Sequence, residues 1–346
     1  MSVKINLGME VRDFVHDGMT EDLSLRNFKG NVLISGGIRS ERTALLSHVL
    51  YQFYTRVPEI GVLLIRLGSN KDTNLFHLDK VFEYGEPNLS IPYFAAEYFT
   101  DVNTYHFSRY INALFGFHYE IKTITSILCR QYRRGRAPSS IMDFFEDLRR
   151  CILEHPFDEE FNESNIKSLE KAAGIFQEDS ILEETVSITL ESPEWLRLWN
   201  FGGKVCIDLS ECDIIQQKIL VATIIQTVYN QVEMNNSSIP TGIVVIDEAD
   251  DVWKRPPNEV YRENYERNKE YGRRIQEENY LLTKEQIEEI FEDPNYLMNS
   301  QLEQVYKDLY CDEYRYRNIA LITVCEDPAR IYDFVNYHSQ IKLQIS

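Results

Sequence analysis

Two adjacent carboxylates at the end of an apolar run are the residues best suited to chemistry in this sequence. Asp247 and Glu248 follow residues 243–246, four β-branched apolar residues that are typical of a buried parallel strand. Ligands of open α/β sheets bind outside the carboxyl ends of the strands, where these acids would stand. Paired acids there suit metal-assisted activation of water. The simpler interpretation is a buried strand that enters an acidic turn.

A strand, a glycine turn and a helix are predicted from residues 31–54. NVLIS is typical of a strand, Gly36 and Gly37 indicate a turn, and residues 43–54 carry apolar side chains at helical spacing. This order of elements is the context of a phosphate-binding loop with the pattern GxxxxGK[ST]. Laid on GGIRSERT, the pattern begins at Gly36 and ends at Thr43.

The phosphate-binding pattern is degenerate. Glu41 stands where the second glycine belongs, and Arg42 stands at the lysine. Glycine lets backbone N–H groups curl around a phosphate, whereas Glu41 adds a side chain and a negative charge beside it. Arg42 keeps a positive charge, but in a longer, planar group. The alternative is a plain strand–turn–helix connection that binds nothing.

Composition and charge restrict the function classes. The chain has 346 residues, 43% of them hydrophobic, which is typical of a globular protein. Its formal charge is −19, from 36 basic and 55 acidic residues, so DNA could be contacted only at a local basic site. One dense basic cluster is available, formed by Arg130, Arg133, Arg134 and Arg136. The same arginines also suit the C-terminus of a helix, where cations complement the dipole.

The cellular environment is predicted from two further features. The six cysteines are scattered and contain no CxxC pair, which fits free thiols in a reducing compartment. The N-terminus lacks an apolar signal region, and no run approaches the roughly 18 apolar residues of a membrane span. The sequence therefore predicts a soluble, cytoplasmic protein without a membrane segment.

Six short apolar runs separated by helical stretches predict an α/β fold with a mainly parallel sheet. We expect helices on both faces, a central strand at 243–247, and Asp247 close to the 36–43 turn. Residues 78–94 are predicted to be irregular because glycine and prolines interrupt them. The predicted strands are 32–35, 61–66, 204–209, 243–247, 319–324 and 341–345.

The domain organisation is predicted as one core with two insertions. Residues 1–103 and 200–346 would form the core, and 104–199 an inserted helical subdomain with helices at 104–114, 119–134, 139–154, 164–178 and 180–190. A charged stretch at about 254–317 would add solvated helices, or alternatively a lid or partner surface.

The order of these segments resembles the HerA/FtsK superfamily of P-loop motor ATPases, including the VirB4-like conjugation ATPases. The resemblance covers most of the chain and implies a RecA-like P-loop NTPase core. The segments that carry it, in order, are INLGME, LSLRNFKGNVLISG, YGEPNLSIPYF, APSSIMDFFEDL, GKVCIDLS, VVIDEADDV and IALITVCEDPARI.

The resemblance implies roles for individual residues. Asp247 matches the Mg²⁺-site acid, Glu248 the general base, and Thr43 the Mg²⁺-binding hydroxyl. Arg39 and Glu41 replace glycines of the family, and Glu326 replaces its phosphate-sensing glutamine, where a carboxylate would repel phosphate. Arg315 or Arg317 could act as an arginine finger across a subunit interface. The nucleotide-binding set implied in this way is Gly36, Gly37, Ser40, Arg42, Thr43 and Glu326.

Two functional hypotheses follow from the resemblance. In the first, the chain has impaired or lost ATP hydrolysis and serves as a subunit of a DNA-processing or translocation assembly. In the second, it is an active ATP-driven DNA translocase or helicase. The damaged loop, the negative charge and Glu326 favour the first, whereas the intact pair of Asp247 and Glu248 favours the second. ATP and Mg²⁺ are the ligands that the resemblance implies, and the degenerate loop predicts that ATP binds weakly. The resemblance also implies a homo- or hetero-oligomer, such as a ring. An unrelated α/β domain is the third alternative.

Overall fold

The structure is a computed structural model that describes most of the predicted core. It covers the strands Lys4–Asn6 and Asp22–Ser24 and residues 30–68, 76–92, 138–154, 159–186, 192–231, 240–254, 319–331 and 339–345, with single positions at 125, 128, 131, 132 and 335. The four single positions within the predicted helix 119–134 are helical. The predicted helix 104–114, the charged stretch after Lys254, the basic arginine cluster, Arg315 and Arg317 lie outside the described residues.

A seven-stranded sheet in which all neighbouring strands are parallel forms the centre of the molecule. All six predicted strands are present, and the strand Gly242–Asp247 occupies the middle of the sheet. The predicted α/β class and the central position of this strand are therefore confirmed. In sheet order the strands are β5 (Lys80–Glu83), β6 (Lys204–Asp208), β4 (Gly61–Arg66), β7 (Gly242–Asp247), β8 (Ile319–Cys325), β3 (Gly30–Gly36) and β9 (Ser339–Ile345).

The two N-terminal strands stand outside this sheet. β1 (Lys4–Asn6) and β2 (Asp22–Ser24) pair with each other in antiparallel orientation.

The prediction of an irregular segment at 78–94 was wrong in part, because β5 lies within it. β5 is four residues long and sits at the edge of the sheet, paired with β6 alone. Phe82 is its one fully buried side chain. Four residues with a single buried side chain are too few to produce a recognisable apolar alternation. Gly85 and Pro87 follow it closely and dominate the local sequence.

Helices cover both faces of the sheet, as predicted. On one face α1 (Arg39–Arg56) packs Leu46, Leu50 and Phe53 against the even-numbered side chains of β4. The other face is covered by α2 (Ile141–Glu154), α3 (Glu159–Gln177), α4 (Ser180–Thr185), α5 (Glu194–Asn200) and α6 (Ile214–Gln231). Among the described helices, none is both long enough and apolar enough to cross a membrane.

Candidate functional site

The carboxyl edge of the sheet brings the acidic pair and the glycine turn together. β7 ends at Asp247, and Glu248 follows it with φ 60°, a left-handed conformation that non-glycine residues rarely adopt. The turn after β3 lies two strands away, beyond β8. Arg39, at the start of α1, forms an ion pair through its Nε with a carboxylate oxygen of Glu248. The predicted closeness of the two segments is therefore observed.

The glycine turn is shorter than the sequence predicted. β3 runs to Gly36 and α1 begins at Arg39, so only Gly37 and Ile38 separate strand from helix. The predicted helix start near residue 43 was wrong. Both glycines have positive φ, 81° and 61°, which makes the sharp turn possible. The residues that the phosphate-loop alignment treats as loop are instead the first turn of α1.

Glu41 explains why the helix begins so early. Its Oε2 accepts a hydrogen bond of 2.9 Å from the backbone N–H of Ile38, which is one half of a capping box. Such an acid also suits the positive end of the helix dipole. A Cβ atom on Gly37 would lie 2.6 Å from the same oxygen, so the carboxylate rests directly against the glycine turn.

Arg42 is buried and points back into the turn. Its Nη1 donates hydrogen bonds of 3.2 Å to the carbonyl oxygen of Gly36 and 2.9 Å to that of Gly37. The guanidinium is thus bound to the backbone of its own turn. Of the two hydroxyl residues predicted to bind nucleotide or Mg²⁺, Ser40 is exposed and Thr43 is buried.

A glycine after β4 makes room for the carboxylate of Glu248. A Cβ atom on Gly68 would overlap the Oε2 of Glu248. Gln217 fixes this segment, because its amide nitrogen donates 3.0 Å hydrogen bonds to the carbonyl oxygens of Leu67 and Leu209. Neither Gly68 nor Gln217 was singled out in the sequence, since their role depends on contacts between distant strands.

Burial and charge change the pKa values of the acidic pair. Burial raises the pKa of Asp247 to about 6, with a further increase from Glu248 and an opposing decrease from Arg39 and Arg42. Burial also raises the pKa of the Glu248 carboxyl, against the effect of the same two guanidinium groups. The positive charge near these acids is therefore supplied by two arginines in the first turn of α1.

Asp250 ties three chain segments together. Its carboxylate accepts hydrogen bonds of 2.9 Å from the backbone N–H of Glu326, just after β8. The carbonyl oxygen of Glu326 accepts in turn from the N–H of Gly36 at 3.0 Å. Glu326, the predicted phosphate sensor, thus contacts the turn through its backbone, and the residue is exposed to solvent. Asp250 was not singled out in the sequence, because its backbone partners lie on distant segments of the chain.

A buried ion pair stands beside Asp247. The Nη2 of Arg66 lies 2.5 Å from the Oδ2 of Asp208, and both side chains are almost completely buried. Arg66 is opposite Asp208 on β6 and opposite Asp247 on β7. Asp208 also accepts a 3.1 Å hydrogen bond from the N–H of Ser210. Sequence reasoning missed this pair because the partners are 142 positions apart.

The arrangement of the site disfavours the binding of a nucleotide with Mg²⁺. Carboxylate and hydroxyl groups such as Asp247 and Thr43 are of the type that Mg²⁺ accepts. Two guanidinium groups, however, act on Asp247, and the Glu41 carboxylate rests at the turn where a phosphate would stand. Within the described residues, no group of three or more His, Cys, Asp or Glu side chains is placed to hold a metal ion.

Fold and site together define an α/β protein with a parallel seven-stranded sheet and with an acidic pair and a glycine turn at the carboxyl edge of that sheet. No protein-family profile and no curated protein matches the chain in sequence. Among solved structures it is similar to the bacterial conjugative coupling protein TrwB, with 12% identity, a TM-score of 0.47 and coverage of 94% of this chain and 71% of TrwB.

A second similar structure is VirB4 of Thermoanaerobacter pseudethanolicus, with 10% identity, a TM-score of 0.48 and coverage of 91% of this chain and 77% of VirB4. TrwB has also been solved in complex with ADP and Mg²⁺, with a TM-score of 0.46. At such low identity the activity of this chain has to follow from its own residues.

Proposed function

We propose that this chain is a HerA/FtsK-like subunit of a DNA-processing or translocation assembly in which ATP hydrolysis is impaired or lost. The observation that carries the proposal is the ion pair between Arg39 and Glu248. A general base has to accept a proton from water, and the Glu248 oxygen that pairs with Arg39 is not free to do so, although burial raises the pKa of this carboxyl. The residue expected to activate water is therefore already engaged within the protein.

The glycine turn supports the same proposal. Arg42 binds the carbonyl oxygens of Gly36 and Gly37, so its charge is directed into the protein. Two residues between β3 and α1 provide a short turn and not an extended loop of amides around a phosphate. ATP and Mg²⁺ are proposed to bind weakly here, with Asp247 and Thr43 as the nearest equivalents of metal-binding groups.

The assembly role rests on the sequence resemblance. We propose a homo- or hetero-oligomer, such as a ring, in the cytoplasm. Its DNA contact would be the basic cluster of Arg130, Arg133, Arg134 and Arg136, because the charge of −19 disfavours nucleic acid elsewhere. We also keep the proposed division into a core at 1–103 and 200–346 and a helical subdomain at 104–199.

A nucleotide titration combined with an ATPase assay tests the mechanism. We expect weak ATP binding that changes little with Mg²⁺, and no turnover above background in either wild type or Glu248→Gln. Glu59→Gln is a matched control, since Glu59 is an exposed acid outside the site. Turnover in the wild type that disappears in Glu248→Gln would instead establish the second candidate, an active DNA motor. That candidate is favoured by the position of Asp247 at the end of the central strand.

A further inference from the structure

We infer that the site is occupied by its own side chains: Glu41 is the anion at the glycine turn, and Arg39 is the cation at the acidic pair. This inference rests on the proposed function, because it specifies the ligand state of the same site. It also assigns a cause to the weak binding. An external phosphate would compete with an internal carboxylate, and an external metal ion would compete with an internal guanidinium.

The first half of the inference, that Glu41 serves as the anion, rests on contacts at the glycine turn. The Glu41 carboxylate accepts the N–H of Ile38 at 2.9 Å and lies against Gly37. The N–H of Gly36 is used by the carbonyl oxygen of Glu326. Two amides at the point where a phosphate would need donors are therefore already bound to oxygen atoms of the protein. The internal carboxylate has the same charge sign and acceptor chemistry as a phosphate oxygen.

The cation at the acidic pair belongs to a set of two guanidinium groups in the first turn of α1. Arg39 pairs with Glu248, which is half-buried beside Gly68, while Arg42 is held by the carbonyl oxygens of the turn. Together with Asp247, the cluster contains three carboxylates and two guanidinium groups. Its charges are thus largely balanced without any external ion.

The two halves make separate predictions about external ions. Removing the Glu41 charge leaves Arg42 and the helix N-terminus without the internal carboxylate beside the turn, which favours an external anion. Removing the Arg39 charge leaves Asp247 and Glu248 without their nearest cation, which favours a divalent metal ion. The gain in affinity should therefore be specific. The variant without the Glu41 charge should gain affinity for a phosphate probe, and the variant without the Arg39 charge should gain affinity for a metal probe.

Calorimetric titrations with inorganic pyrophosphate alone and with Mn²⁺ alone test the inference. Glu41→Gln should bind pyrophosphate at least about tenfold more tightly than wild type, with no gain for Mn²⁺. Arg39→Gln should show a gain of about the same size for Mn²⁺ and none for pyrophosphate. Glu59→Gln and Arg56→Gln, both at exposed positions, are the matched controls and should behave like wild type. Arg39→Lys, which keeps the charge, should also continue to exclude Mn²⁺.

Circular dichroism establishes that each variant is folded before titration. If Arg39→Gln does not fold, Glu248→Gln is the second variant, because it releases Arg39 and should increase pyrophosphate affinity. Wild type that binds either ion as tightly as its variant overturns the inference, and so do folded variants without any gain. The inference can fail in these ways while the wild type still shows no ATP turnover. Failure of the proposed function is recognised separately, because the wild type would then hydrolyse ATP.

Discussion

Two ion pairs of the same chemical type stand at the carboxyl edge of the sheet and differ in burial. The side chains of Arg66 and Asp208 are 6% and 4% exposed, whereas those of Arg39 and Glu248 are 40% and 20% exposed. A buried pair cannot lose one partner without leaving an uncompensated charge in the interior. A partly exposed pair can exchange its partner for water or an external ion at little cost. The first pair therefore belongs to the fold, whereas the exposure of the second fits the binding chemistry that we propose for the site.

The position of the buried pair explains its separate role. Arg66 stands between Asp208 and Asp247 in the register of three neighbouring strands. Burial alone would raise the pKa of Asp208, but hydrogen bonds from Arg66 and Ser210 hold it below its ordinary value. The pair thus stays ionised and neutralised within itself beside the acidic turn, whatever the state of the Arg39–Glu248 pair.

The largest expected effect is the loss of the buried pair. Asp208→Ala should reduce the free energy of unfolding by about 3–5 kcal/mol, because it leaves the Arg66 guanidinium uncompensated. Arg39→Ala should cost less than about 1 kcal/mol, because its ion pair is partly solvated. Urea denaturation of both variants measures the difference. Equal costs would mean that the two pairs do not differ in the way burial indicates.

A smaller effect is expected from the acidic pair itself. The pKa of Asp247 is raised to about 6 in the folded state, so the folded chain holds its proton at pH values where the unfolded chain has released it. Stability from this group is complete below about pH 4 and is lost as pH rises towards 6. Asp247→Asn should therefore be more stable than wild type by about 2 kcal/mol above pH 6.

Urea denaturation at several pH values measures this gap between Asp247→Asn and wild type. The gap should close below about pH 4, where both chains carry an uncharged side chain at position 247. A gap that stays constant with pH would show that the substitution acts through packing and not through protonation.

The backbone at Glu248 should give an effect of about 1 kcal/mol. Its φ of 60° costs a residue with a Cβ roughly 1–2 kcal/mol, whereas glycine adopts it without that cost. Both Glu248→Gly and Glu248→Ala lose the ion pair with Arg39, so their difference isolates the backbone. We expect the glycine variant to be more stable by about 1 kcal/mol in thermal denaturation. A more stable alanine variant would argue against the left-handed conformation.

The smallest expected change comes from Gly68→Ala. The added Cβ would overlap the Glu248 carboxylate, which is the end of a flexible side chain and can move. The cost should stay below about 1 kcal/mol, but the ion pair with Arg39 should break. A double-mutant cycle measures this, since Arg39→Ala should then have no further effect on stability. A full Arg39→Ala effect in the Gly68→Ala background would show that the carboxylate does not lie against Gly68.

The sheet was predictable because its strands are buried on both faces. Such strands appear in the sequence as continuous apolar runs, and residues 61–66 and 243–247 are of this kind. β5 was not predicted, because an edge strand of four residues produces no such run. The start of α1 was not predicted correctly, because it depends on the position of one oxygen atom of the Glu41 side chain.

The candidate site was predictable in its members more than in their arrangement. The sequence placed Asp247 and Glu248 beside the glycine turn because parallel strands end at one edge. It did not indicate that Arg39 would bind Glu248, since pairing between distant positions leaves no local pattern. The roles of the individual site residues and the domain division stay predictions.

The hydrogen bonds around Asp250 couple the opening motions of three chain segments at this edge of the sheet. The Asp250 carboxylate accepts a hydrogen bond from the N–H of Glu326, and the carbonyl oxygen of Glu326 accepts one from the N–H of Gly36. The N–H of Ala249 donates to the carbonyl oxygen of Val324. Opening one of these bonds weakens the support of the next. The amide protons of Gly36, Ala249 and Glu326 should therefore exchange with deuterium at a common rate, as one cooperative unit.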